Sequence, residues 1–122
     1  MRMLVIDDSK TMRSFLSYIA RDLSFQTQEA CDGQDALDVL KKSDPFDVAL
    51  VDWDMPRMNG LDFVKNVRSD PSYANMKLMM VTAQSSLSAI IQALDSGAND
   101  YLMKPITKEM VSDKLRVLGV IE

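Results

Sequence analysis

The sequence contains no histidine. That removes the commonest general base, a common metal ligand and any phosphohistidine of the chain's own making. A single cysteine, Cys31, leaves no partner for an internal disulfide, which suits a reducing compartment. Glycine and proline number only four each, which excludes collagenous and low-complexity chains. Long apolar runs are missing as well, so no segment is expected to cross a bilayer. Met1-Arg2 passes directly into residues 3–6 and two aspartates, too short for the core of a signal peptide. A cytoplasmic location without a membrane partner is the expectation. Positive charge is in the minority, fourteen Lys and Arg against eighteen Asp and Glu, for a net charge of −4. An acidic surface repels phosphate backbones, so direct nucleic-acid binding is not expected. Chemistry here falls to carboxylates, hydroxyls and amines.

What is present suits one domain spanning residues 1–122, with 47% hydrophobic and 26% charged residues. Residues 3–6, 48–51 and 78–81 are short continuous apolar runs, the pattern of strands buried on both faces of a parallel sheet. Weaker strands are predicted near Gln26–Ala30 and Asp100–Met103, both carrying polar residues. Helical spacing appears between them. Met12, Phe15, Leu16, Ile19, Ala20 and Leu23 share one face. Ala36, Leu37 and Leu40 follow Asp32-Gly33, and Val64 and Val67 follow Gly60-Leu61. Leu87, Ile90, Ile91 and Leu94 repeat the spacing before Gly97, a helix stop, and Met110, Val111, Leu115 and Leu118 form a last helix.

Alternating strands and helices predict an α/β fold, a doubly wound five-stranded parallel sheet with five helices. The polar second and fifth strands belong at the edges, which selects the order 2-1-3-4-5. In that order the helices leave strands one and three in opposite directions, opening a crevice at their carboxyl ends. Asp7 and Asp8 follow the first strand, Asp52 the third, Thr82 ends the fourth and Lys104 lies just beyond the fifth. Any one of these alone reads as a solvated loop residue. Together they are predicted to share one rim.

Two carboxylates about 4 Å apart repel by roughly 4 kcal/mol at an effective dielectric near 20. Three in one crevice require a cation beyond Lys104, and an all-oxygen set with few protein ligands suits Mg²⁺. Carboxylate, metal, hydroxyl and amine are together the parts for phosphoryl transfer onto an aspartate.

These residues resemble those of two-component response-regulator receiver domains, and more closely the single-domain chemotaxis regulators of the CheY kind. The likeness spans the chain and rests on Ile6-Asp7-Asp8-Ser9, the run from Asp52-Trp53-Asp54-Met55-Pro56 to Arg57-Met58-Asn59-Gly60, Val81-Thr82-Ala83, and Tyr101-Leu102-Met103-Lys104-Pro105. Flavodoxin and CheY are themselves reference cases for the 2-1-3-4-5 order. The resemblance implies that Asp52 accepts a phosphoryl group from a phosphohistidine kinase. It implies that Asp8 binds Mg²⁺ directly and Asp7 largely through water, with Asp52 and the backbone carbonyl of Asp54 also in the ligand set. Thr82 and Lys104 would hold phosphoryl oxygens, and Thr82 and Tyr101 would act as the switch. Asp54 and Gln84 would tune the phosphoryl lifetime, and the Lys104–Pro105 bond would be cis. The implied role is a signalling switch that catalyses only its own phosphorylation and dephosphorylation. Its target would dock on helix four, strand five and helix five, around residues 86–118. For a chemotaxis member that target is a flagellar motor switch protein. Asp54 and Ile106 depart from the Asn and Phe that chemotaxis members often carry there.

Alternatives remain. The chain is expected to be a stand-alone regulator or a receiver excised from a larger one. Asp52-Trp53-Asp54 also matches the spacing of Mg²⁺-dependent aspartyl-nucleophile phosphatases of the haloacid-dehalogenase kind, whose signature normally follows the first strand in a longer chain. A flavodoxin-like electron carrier shares the fold class, but Asp7 and Asp8 would repel a flavin phosphate. Gly60 is read as supplying a turn into its helix, Cys31 as a small buried or loop residue, and Trp53 as a neighbour of the site without a chemical task.

Overall fold

Successive side chains along the central strands point into two separate cores, as the pleat requires. Leu4, Ile6, Ala49, Val51, Leu78 and Met80 pack with Ala36, Leu40, Phe63, Val64, Val67 and Ala93 on one side of the sheet. Met3, Val5, Val48, Leu50, Met79 and Val81 pack with Leu16, Ile19, Ala20, Val111 and Leu115 on the other. The computed structural model that shows this describes residues 1–83 and 86–122.

The order of elements is β1 Arg2–Ile6, α1 Lys10–Asp22, β2 Gln26–Ala30, α2 Gly33–Lys42, β3 Val48–Asp52, α3 Gly60–Arg68, β4 Lys77–Thr82, α4 Leu87–Asp95, β5 Asp100–Met103 and α5 Lys108–Val117. The strands form one sheet in the order β2-β1-β3-β4-β5, all in parallel register. Polarity at the two edge strands thus located them correctly. Each α-helix begins at a side-chain cap: Ser9, Asp32, Asn59, Ser86 and Thr107 each accept from a backbone N–H three residues on. Gly97 closes α4 at φ 115°, a left-handed position that glycine takes without a Cβ penalty. No helix among the described residues is long and apolar enough to cross a membrane.

Two helix faces differ from expectation. Phe15 lies 43% exposed, because Leu16, Ile19 and Ala20 already fill the space between α1 and the sheet. In α4 it is Ala89 and Ala93 that are buried, while Leu87, Ile91 and Leu94 are 72%, 48% and 43% exposed. The larger apolar face of that helix therefore looks outward, and its small residues set the contact with the core. A 3-10 turn at Pro71–Tyr73, capped by Asp70, was not anticipated.

Candidate functional site

The strand ends bring three acids together. Asp7 and Asp8 leave β1, Asp52 closes β3, and one oxygen from each lies within 4.8 Å of the others. Asp7 and Asp52 are buried and Asp8 is exposed. Lys104, just past β5, places Nζ 3.2 Å from Asp52 Oδ1 and 3.7 Å from Asp7 Oδ2. Thr82 ends β4, buried, and its carbonyl accepts from the Lys104 N–H at 2.8 Å, which ties the lysine's strand to the same rim. The Lys104–Pro105 bond is cis.

One lysine does not offset this concentration of acid. Burial is the chief reason that the Asp52 carboxyl is pushed up to about 6, with the Asp7 charge adding to it and Lys104 opposing. Burial likewise raises Asp7, against the Ser9 N–H that its Oδ1 accepts at 2.9 Å. The second oxygen of Asp7, Oδ2, is buried without a hydrogen-bond partner among the described residues. A buried, under-coordinated carboxylate oxygen beside two further acids fits a hard cation, and the all-oxygen donor set is compatible with Mg²⁺.

The segment after Asp52 is held on several sides. Gly60 N–H donates to the Trp53 carbonyl at 2.9 Å. A Cβ at Gly60 would collide with the backbone carbonyl of Asp52. The glycine has no positive φ, so its reason is space and not the turn expected from the sequence. Arg57 does have one, φ 64°, and its guanidinium donates to both oxygens of buried Asp32 at 2.8 and 3.0 Å. Arg13 Nη1 donates to the Asp7 carbonyl at 2.7 Å, bracing the other acid-bearing loop. Arg57, Asp32 and Arg13 were missed by sequence reasoning, because their partners lie far along the chain or on the backbone.

Asp54 is exposed and Trp53 half-buried, packed against the α2–α3 core. Tyr101 is half-buried in β5, where with Leu102, Met103, Met110, Asp113 and Lys114 it lines a surface cavity of about 330 Å³. Gln84 lies outside the described residues. Cys31 is exposed in the bend before α2.

An acid-lined rim at the β1/β3 reversal of a doubly wound sheet defines a class of site in which a ligand meets the carboxyl ends of the strands. Residues 3–116 match the response regulator receiver domain, and the chain belongs to that family. It is 43% identical over 116 residues to chemotaxis protein CheY-3 of Vibrio cholerae, covering 94% of this chain and 88% of that protein. It is 40% identical over 121 residues to the chemotaxis protein CheY homolog of Campylobacter jejuni, covering 98% and 93%. Among solved structures, chemotaxis response regulator CheY4 of Vibrio cholerae superposes with a TM-score of 0.89 at 32% identity, over 96% of this chain and 97% of that one. Membership places the chain among two-component signalling proteins and sets aside the phosphatase and electron-carrier alternatives.

Proposed function

We propose that this protein takes a phosphoryl group from a phosphohistidine kinase onto Asp52, and that phosphorylation switches its binding to a downstream target in chemotaxis. The observation that carries the reading is the convergence of Asp7, Asp8 and Asp52 oxygens within 4.8 Å, with Lys104 Nζ 3.2 Å from Asp52 Oδ1. Asp8, Asp7, Asp52 and the backbone carbonyl of Asp54 would hold Mg²⁺. When bound, the ion offsets the carboxylate charge and polarises the transferring phosphoryl group.

Asp52 is the nucleophile. Its carboxylate oxygen forms the new bond to phosphorus as the phosphorus–nitrogen bond of the donor breaks, the electron pair staying with the imidazole. Lys104, already paired with Asp52, turns to the incoming phosphoryl oxygens, and the Thr82 hydroxyl does the same from β4. Movement of Thr82 makes room for Tyr101 to turn inward. Asp54, and Gln84 by resemblance, adjust how long the product lasts. Output is a population shift between two states, biased by the new charge.

The docking surface in this reading is α4, β5 and α5. The outward Leu87, Ile91 and Leu94 and the 37% exposed Met103 supply apolar area there, which supports a protein partner. A flagellar motor switch protein is the candidate, given the chemotaxis relatives.

Trp53 adjoins the acceptor and reports on it. Its fluorescence should change on adding Mg²⁺ and again on adding beryllofluoride, with Asp52→Asn losing the second change. A wild type silent in both steps contradicts the proposal.

A further inference from the structure

We propose that Arg57 and Asp32 form a clasp that positions the β3–α3 loop for metal binding, making both of them positioning residues for the reaction read above, on which this inference rests. The loop at residues 53–59 runs from Asp52 to α3 and carries Asp54. Its near end is fixed by the sheet and by the bond from Gly60 N–H to the Trp53 carbonyl. Its far end turns at Arg57, whose φ of 64° lies where residues with a Cβ are uncommon. Such a conformation persists only where its surroundings impose it.

Here the surroundings are the start of α2. The Arg57 guanidinium grips Asp32 as a fork, Nε to Oδ2 at 2.8 Å and Nη2 to Oδ1 at 3.0 Å, the strongest arrangement open to such a pair. Asp32 is only 3% exposed, and it is itself immobilised as the α2 cap, accepting from the Asp35 N–H at 2.8 Å. Next to it, Gly33 N–H donates to the Met58 carbonyl at 3.2 Å. Any Cβ on Gly33 would collide with Met58, so loop and helix meet without spare room. The contact is therefore a seat for the loop at a distance of 25 residues in sequence, and the fork is what locks it.

The consequence is for the metal. With the clasp closed, the backbone carrying Asp52 and Asp54 is held in one arrangement before the cation arrives. With it open, binding must also order the loop. Opening the clasp lowers Mg²⁺ affinity and leaves the saturated site unchanged.

Arg57→Gly separates the two contributions of the residue, since glycine accepts the left-handed turn but has no fork. Asp32→Asn keeps a capping oxygen and loses the ion pair, and Arg57→Lys keeps charge without the fork. Mg²⁺ titrations of the full chain, by calorimetry and Trp53 fluorescence, should show about tenfold weaker binding in each variant, the lower end of the usual effect of losing an outer support to a metal ligand. The double variant Arg57→Gly/Asp32→Asn should lose no more than either alone. At saturating Mg²⁺, phosphoryl uptake from a small phosphodonor should return to the wild-type rate. Unchanged affinity in Arg57→Gly, additive losses in the double variant, or uptake that saturation fails to restore would each overturn the clasp. A wild type that binds no Mg²⁺ overturns the functional reading and the clasp with it.

Discussion

Gly60 begins α3 directly against the backbone carbonyl of Asp52, with Met80 Cε 3.0 Å from where a Cβ would stand. Helix α3 and strand β3 are thus as close as an unsubstituted Cα permits. The strand end bearing Asp52 is pressed from behind by the element that follows it, which limits how far the carboxylate can retreat from the rim.

Gly60→Ala should accordingly destabilise the fold by about 1–3 kcal/mol, the usual cost of forcing a methyl group into filled space. It should also weaken Mg²⁺ binding, because relief comes by displacing the Asp52 backbone. Urea denaturation with and without the metal measures both effects. Identical midpoints for the two proteins would show that the helix start yields freely.

Acid at the rim makes the metal-free protein pH-sensitive. The Asp52 carboxyl is raised from 3.8 to about 6 in the folded chain, mainly by burial, so the native state holds its proton more tightly than the unfolded one. Stability conferred by that proton is present below the unfolded value and is lost as pH rises through the folded one. Asp7, raised for the same principal reason, adds an effect of the same sign. Asp52→Asn removes the liability and should be more stable than wild type near pH 7 by roughly 2–3 kcal/mol, the advantage fading toward pH 4. Mg²⁺ at about a hundredfold its dissociation constant should return about 2.7 kcal/mol to the wild type. Urea midpoints across this pH range, with chelator and with Mg²⁺, test the sign directly.

Arg68 at the end of α3 is a second anchor, unrelated to the chemistry. Its guanidinium donates to the carbonyls of Gly97, Tyr73 and Met76 and to Asn99 Oδ1, at 2.8–3.0 Å. Arg68→Met takes this donor from the Gly97 and Met76 carbonyls, while the Tyr73 carbonyl and Asn99 Oδ1 still accept from the Met76 and Leu78 N–H groups, and should lower stability by about 2–4 kcal/mol. Phosphoryl uptake per folded molecule should stay at the wild-type value. Chemical denaturation and an uptake assay on the same samples separate the two quantities.

The architecture was largely legible in the sequence, because strands covered on both faces must be apolar throughout and edge strands need not be. The rim was legible for a related reason: parallel strands deliver the residues at their carboxyl ends to one place, so Asp7, Asp52 and Thr82 could be grouped by position alone. Outward faces were harder. Leu87, Ile91 and Leu94 have a core helix's spacing, but Ala89 and Ala93 take the core positions, and periodicity does not say which of two apolar faces is inside. Arg57, Arg68 and Gly60 were opaque because what they do depends on backbone atoms and carboxylates that only the finished fold brings to them.

Phosphoryl placement tests the central claim most directly. The protein would be incubated with a small phosphodonor, with Mg²⁺ or with chelator, and the modified residue located by mass spectrometry. The account predicts one phosphoryl group, on Asp52, dependent on Mg²⁺ and absent from Asp52→Asn. Equal uptake in Asp52→Asn, or a phosphoryl group carried on another residue of the wild type, would contradict it.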